Sequence, residues 1–406
     1  MAGDWIQTTL GEVLTLQRGF DLPESERRPG PYPVIASTGP VGAHDQAMVE
    51  GSGVVIGRSG SLGGGQFING DFWPLNTTLW VKDFKGNDRR FCYYLLKSLD
   101  LAKFNAGSGV PTLNRNHIHP LRVTIPKQPG EQRAIAHILG TLDDKIELNR
   151  RMNATLEAMG RALYKDWFVD FGPVRAKMEG REPYLSREMW DLFSDRLVES
   201  ELGEIPEGWR VGAIGDVADH PRRGVQPQDI DPESAYIALE HMPRRCLALY
   251  DWGIAGGIES NKFRFNRGEI LFGKLRPYFH KVGIAPLDGV CSTDIVVVKP
   301  KSDEWFEFVL SHVSSDSFVE YTNAGATGTK MPRTNWTDMA RYKIAIPAEA
   351  VARSFGAMLN GSIDQIVAGI HESRSLSLLR DTLLPKLISS DLRVPDTMLQ
   401  IEEAIA

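Results

Sequence analysis

The chain has 406 residues, 46 Lys and Arg against 52 Asp and Glu, and a formal net charge of −6. That length exceeds what one core serves at roughly 100 to 200 residues per domain, so two or three domains are expected. The opening MAGDWIQTTLGEV has no basic-then-apolar leader, and no run approaches about 18 uninterrupted apolar residues. Neither secretion nor a membrane span is indicated, and a cytoplasmic protein is expected.

Charge is distributed unevenly: residues 1 to 130 carry 13 basic and 11 acidic side chains, residues 131 to 204 carry 11 and 15. The net charge argues against nucleic acid as a partner, but local positive charge matters more for phosphate contact. Cys92, Cys246 and Cys291 stand far apart, with no CxxC pair, and read as free thiols in the core.

In chain order, Trp5 opens WIQTTLGEVLTLQRGFDLP. Short β-branched runs at Gly53 to Ile56 and Leu121 to Ile125 predict strands, with a helix at Arg90 to Leu101 between them. Gly63 to Gly65 reads as a turn. A proline-free stretch from Glu131 to Phe168 follows. Its seam of Leu142, Ile146, Asn149, Asn153, Leu156, Gly160, Leu163 and Trp167 alternates steps of four and three, the 3.5-residue repeat of a helix packed along another helix. Asn149 and Asn153 are candidates for fixing register, for meeting a partner, or for simple exposure. Residues 169 to 208, with Pro173, Pro183 and Pro206, read as a connector in which Leu192, Leu197 and Leu202 suit a short helix.

The opening pattern then returns. Trp209 begins WRVGAIGDVADHPRRGVQP, which repeats the Trp, the apolar-Gly-acidic-Val step and the Arg-Gly. SGVVIGRSG (from Ser52) matches GEILFGKLR (from Gly268), NTTLWVK matches STDIVVVK, and NAGSGVPTLN (from Asn105) matches NAGATGTKMPRTN (from Asn323). Each copy closes on a strand ending Ile-Pro, at Pro126 and Pro347. Matches in one order at a period of about 204 to 221 residues indicate a duplicated domain. Strands at Asp294 to Val298 and Tyr342 to Ile346 and a helix at Glu304 to Ser311 complete the second copy. A second long helix, Val351 to Ile388, supplies the partner sought for the first through Ile363, Ile366, Ile370, Leu376, Leu379 and Leu383; Pro385 is expected to kink or end it.

The chemical motifs are few. GEILFGKL satisfies GxxxxGK at Gly268, Gly273 and Lys274, but Leu275 stands where a hydroxyl would hold magnesium, and Ile270 to Phe272 reads as strand. Spaced carboxylates with a lysine and the Asn/Asp-Pro-Pro-aromatic motif of base-flipping enzymes are absent. His117 and His119 read as solvated loop histidines rather than metal ligands. What remains is Arg, Lys, Asn, Thr and Ser in the turns of both copies: Arg18, Arg58, Ser59, Thr112, Asn114, Arg115 and Asn116, then Arg222, Arg223, Lys274, Arg276, Tyr278, Lys281, Lys330, Arg333, Thr334 and Asn335. Except for Tyr278, these are side chains that contact phosphate and base edges.

Taken together, the paired Trp openings, ILFGKLRPY, the NAG-to-PTLN and NAG-to-PRTN segments, LDDKIELNRRMN with LYKDWFVDFGP, and LLPKLI resemble the DNA specificity subunit of type I restriction-modification systems. The resemblance spans nearly the whole chain. It implies an α+β protein of two similar mixed α/β target-recognition domains (residues 1–130 and 209–347) joined by two long antiparallel helices (131–168 and 348–390), a connector at 169–208, a tail at 391–406 and a pseudo-two-fold repeat. It implies a subunit without a catalytic site that binds double-stranded DNA, reads one half of a bipartite target with each domain, and fixes the gap with the helices. Two modification subunits carrying S-adenosylmethionine and ATP-driven, magnesium-dependent restriction subunits are the implied partners, and no cofactor is expected on this chain. The acidic helices are expected to face those partners. Lys274, Arg276 and Tyr278 sit in a motif common to the family, which suits a backbone or structural role. The competing readings are an enzyme carrying its own methyltransferase or nuclease site and a helical scaffold that does not bind DNA.

Overall fold

The protein is described by a computed structural model over residues 5–328 and 331–394. It divides into two compact units, one built from residues up to Lys145 together with those from Leu376 onward, the other from Ile146–Ser375.

In the first unit Trp5–Thr9 pairs antiparallel with Arg122–Pro126, so the Trp-led opening meets the Ile-Pro closure at Trp5 and Pro126. The turn Leu10–Val13 is anchored where Leu10 N–H donates to Leu121 O and Gly11 N–H to His119 O, both at 2.8 Å. An antiparallel sheet follows in the order Thr15–Arg18, Thr78–Asp83, Gly53–Gly57, Gly63–Ile68. Every residue of Gly53–Gly57 is buried, as an unbroken apolar run covered on both faces should be. Helix Arg89–Ser98 buries Phe91, Cys92, Tyr94 and Leu96; Asp88 caps it by accepting from Phe91 N–H. Gly63, Gly64 and Gly65, read as a turn, instead open the edge strand; all three have positive φ, a backbone that L side chains resist.

The second unit builds the same parts. Arg210–Ala213 pairs with Lys343–Ile346, and the turn Ile214–Val217 is anchored by Ile214 N–H to Tyr342 O and Gly215 N–H to Ala340 O, both at 3.0 Å. Its four-stranded sheet runs Ala218–Asp219, Ile295–Pro300, Ile270–Gly273, Val282–Ile284, the same order and pairing sense as in the first unit. The repeated sequence segments therefore occupy repeated sheet positions. Ile270–Gly273 is a fully buried strand, which leaves no flexible cradle for a phosphate. Helix Phe306–Val313 takes the place expected from Glu304, and a further helix, Asp316–Ala324, was not expected.

The first long helix is α-helical over Pro129–Tyr164 and widens to a π turn at Lys165–Val169; the second spans Glu349–Ile388. Leu142, Ile146, Asn149, Asn153, Ile366, Ile370, Leu376 and Leu383 are buried, and Leu156, Leu163, Ile363 and Leu379 are half-buried. Within the second unit Asn149 Nδ2 donates to Ser373 Oγ at 3.4 Å and Asn153 Nδ2 to Ile366 O at 3.2 Å, while Gly160 faces Leu359. Partners that descend as the first helix ascends make the pair antiparallel there. Pro385 does not end the second helix, which runs three residues further; a proline so near the end removes one hydrogen bond from a turn already losing partners.

Two expectations for the connecting and acidic segments need correction. Leu197 and Leu202 lie in a hairpin, Leu197–Ser200 against Gly203–Pro206, turned at Gly203 with φ 85°, whereas helix Gly172–Met178 forms earlier. The acidic residues of the first long helix are in part committed internally. In the first unit Asp143 accepts from Tyr94 Oη at 2.7 Å and pairs with Arg380 at 2.6 Å, and Asp144 pairs with Arg90. In the second unit Glu157, buried, accepts from Leu247 N–H at 3.0 Å and Ala248 N–H at 3.2 Å.

The core of the second unit gathers Trp167, Phe168, Phe308, Phe318 and Phe355, and the rings of Tyr164, Phe168 and Phe308 lie 4.9, 6.5 and 4.2 Å from one buried imidazole, His312. Burial pushes its pKa down to about 4 from 6.5, against the raising effect of its bond to Phe308 O. A folded pKa below the unfolded one means stability is full above about pH 6.5 and is lost as pH falls toward 4, by about 3 kcal/mol for a shift of this size. Melting followed from pH 7.5 to 4.5 should fall more steeply in the native chain than in His312→Leu; parallel curves would refute the assignment.

Candidate nucleic-acid interface

In each unit the end of a central strand is stitched to the loop after the repeated NAG segment. In the first, Leu113 N–H donates to Arg58 O at 2.8 Å and Gly60 N–H to Pro111 O at 3.0 Å. In the second, Thr334 N–H donates to Lys274 O at 3.1 Å and Arg276 N–H to Pro332 O at 2.7 Å. The frame is the same, and it equates Arg58 with Lys274, Gly60 with Arg276, and Asn114 with Asn335.

The first frame borders an open concavity of about 890 Å³ lined by Arg18, Arg58, Thr112, Asn114 and Arg115, with Gln17 and Asp21. Arg18 lies 3.8 Å from Asp21, Arg58 Nη1 reaches Asn76 O at 3.5 Å, and Asn76 in turn contacts Asp21. Arg115 Nη1 donates to Leu16 O at 3.2 Å, tying the loop to the edge of the sheet. Ser59 bridges to Thr112, and exposed Asn116 lies in the short helix that Asn114 caps. His119 is not a solvated loop residue: its Nε2 accepts from Leu16 N–H at 3.1 Å, and burial lowers its pKa. His117 is exposed.

The second frame is more heavily braced. Arg333 Nε donates to Asp294 Oδ1 at 3.1 Å, Arg223 pairs with the buried carboxylate of Glu269, and Lys281 Nζ reaches Leu239 O, burial lowering the Lys281 pKa. Thr334 is buried, and Asn335 caps helix Trp336–Met339 by accepting from Asp338 N–H at 3.0 Å. Arg276 takes a left-handed conformation (φ 52°), as does exposed Arg222 (φ 47°). Tyr278 is 51% exposed, its ring against Phe279. Lys330 lies outside the described residues. Asn114 and Asn335 thus cap short helices, a role that asks for the same side chain as a base contact.

Sequence reasoning missed a strap in the second unit. Cys246 to Trp252 lies along the long helices: Glu157 takes its backbone, Asn153 Nδ2 donates to Tyr250 Oη at 2.8 Å, Arg374 stacks 3.8 Å from the Trp252 ring, and Ala248 packs on Ile366 and Ile370. Among the described residues no group of three or more His, Cys, Asp or Glu is placed to hold a metal, and no helix is long and apolar enough to cross a membrane.

One strand-and-loop frame is thus built twice, each copy carrying a cationic side chain, Arg58 or Lys274, at the same strand end. Residues 2–158 match the model of the type I restriction modification DNA specificity domain. The chain is 25% identical over 341 residues to the MjaIX specificity subunit of Methanocaldococcus jannaschii, covering 80% of this chain and 74% of that one. It is 26% identical over 362 residues to the EcoDI specificity subunit of Escherichia coli, covering 85% and 78%. In fold it is similar to the S subunit of a type I restriction-modification system from M. genitalium, with a TM-score of 0.57, 16% identity, and 95% and 96% of the two chains covered. By these comparisons the chain is similar to type I restriction-modification specificity subunits, and its residues 2–158 match the family's DNA specificity domain.

Proposed function

We propose that this chain is the sequence-specific DNA-binding subunit of a type I restriction-modification complex and directs adenine methylation and restriction by partner subunits without a catalytic site of its own. The observation that carries the reading is the twice-built frame that ends at Arg58 in one unit and Lys274 in the other. Two like frames suit a bipartite target, each domain reading one half. Arg18, Arg58, Arg115 and Asn116 in the first domain, and Lys274, Arg276, Arg222 and Tyr278 in the second, are the side chains proposed to meet DNA. Double-stranded DNA, two modification subunits with S-adenosylmethionine, and restriction subunits using ATP and magnesium are the proposed partners. Because those larger subunits would embrace the DNA as well, the modest charge of this chain suffices.

Mapping methylated adenines in cells with and without the gene tests the reading. Replacing residues 5–126 by those of a relative should change one half-site only. A four-residue insertion just before Asn149 adds about 6 Å to the helix and should widen the gap by one or two base pairs at 3.4 Å each, with both half-sites unchanged. Altered half-sites at a constant gap would refute the spacer role. Methylation by the purified chain alone with labelled S-adenosylmethionine would refute the non-catalytic reading.

A further inference from the structure

Val110 and Met331 stand immediately before Pro111 and Pro332, the residues whose carbonyls receive the N–H groups of Gly60 and Arg276. They therefore occupy one position in two copies of the frame. Both are apolar and both are exposed, at 62% and 49%. A single exposed apolar residue is ordinary on a protein surface. Its recurrence at one framed position is not ordinary, since the two loops otherwise differ, SGV in one and GTKM in the other.

Each position is also bracketed by hydrogen bonds. In the first unit Asn105 Oδ1 accepts from Gly107 N–H and Thr112 N–H, both at 2.9 Å, and Thr112 Oγ1 donates to Val110 O at 3.0 Å. A Cβ at Gly107 would fall 2.1 Å from Val110 O, so the loop closes only with glycine there. In the second unit Thr327 and Arg333 exchange both backbone hydrogen bonds, at 3.0 and 2.9 Å, and Gly328 turns the chain at φ 100°. Each frame thus presents an apolar side chain to solvent beside the strand end that carries Arg58 or Lys274. A preorganised loop contributes more to binding because less is lost in ordering it.

We infer that Val110 and Met331 are a matched pair of specificity-determining residues, one per half-site, that make apolar contact with a base edge. This rests on the proposed DNA-binding function. The apolar group that B-DNA offers at a base edge in the major groove is the thymine C5 methyl, so the contact selects a thymine. Since each half-site carries an adenine to be methylated, each contains at least one A·T pair.

The test uses the complex reconstituted with its modification subunits and duplexes bearing the mapped target, with uracil replacing thymine one position at a time. With the wild-type chain, one uracil in each half-site should slow methylation about fourfold, the worth of one buried methyl group. Val110→Ser should abolish that sensitivity in the half-site read by the first domain only, and Met331→Ser in the other only. Insensitivity of the wild-type complex to every uracil overturns the inference, as do variants that keep the wild-type uracil profile. A wild-type complex that methylates without any site preference would instead defeat the parent reading, and it would be seen before any variant is made.

Discussion

Glu157→Ala is expected to cost the second unit about 3 kcal/mol. Its carboxylate is 4% exposed and is the acceptor for two consecutive backbone N–H groups, Leu247 and Ala248, with the Cys246 thiol and Arg161 close by. Alanine would leave the buried Ala248 N–H and the half-buried Leu247 N–H without this acceptor, and each such loss costs about 1 to 3 kcal/mol, more when the lost acceptor is charged. The cavity left behind adds to this. Glu157→Gln keeps an oxygen for the two N–H groups and should recover most of the loss. The measurement is urea denaturation of the full chain, followed by a probe at Trp252, which the same strap carries. An unshifted transition in the alanine variant would show that the strap is held by its apolar contacts alone. Because the strap belongs to the domain proposed to read one half-site, the variant should also weaken discrimination at that half-site before it affects the other.

The duplication was legible because strand ends and turns leave chemical marks. The Trp opening pairs with the Ile-Pro closure in both units, and the apolar-Gly-acidic-Val step becomes the same anchored turn at Gly11 and Gly215. The long helices were legible because a 3.5-residue apolar period has few other realisations. Three things were not. The roles of Asn114 and Asn335 were hidden because an asparagine before a helix and an asparagine meeting adenine look alike; only the helix that begins after each tells them apart, and Asp338 three residues past Asn335 is a trace of it. The strap was hidden because CLALYDW has the composition of any buried strand, and its partners lie about 90 to 120 positions away. Internal use of Asp143, Asp144 and Glu157 was hidden because an acidic helix face reads as solvated until the arginines and amides that meet it are located.

Trp167→Ala should be at least as damaging, at about 3 to 5 kcal/mol. Trp167 is fully buried on the π turn that closes the first long helix, with its ring 5.0 Å from Phe193 and 5.8 Å from Phe355. Three pieces of chain meet on it: the helix end, the connector through Phe193, and the second long helix through Phe355. Its Nε1 has no hydrogen-bond partner among the described residues, so volume and shape rather than a polar contact account for the indole there. Two variants separate these contributions. Trp167→Phe removes the unsatisfied N–H along with part of the ring and should cost much less than alanine, since the gain from deleting a buried orphan donor offsets part of the lost packing. Thermal melting of the three chains should therefore rank wild type and the phenylalanine variant close together and the alanine variant far below. If phenylalanine were as damaging as alanine, the indole N–H would have to be engaged after all, and the packing argument for this junction would fail.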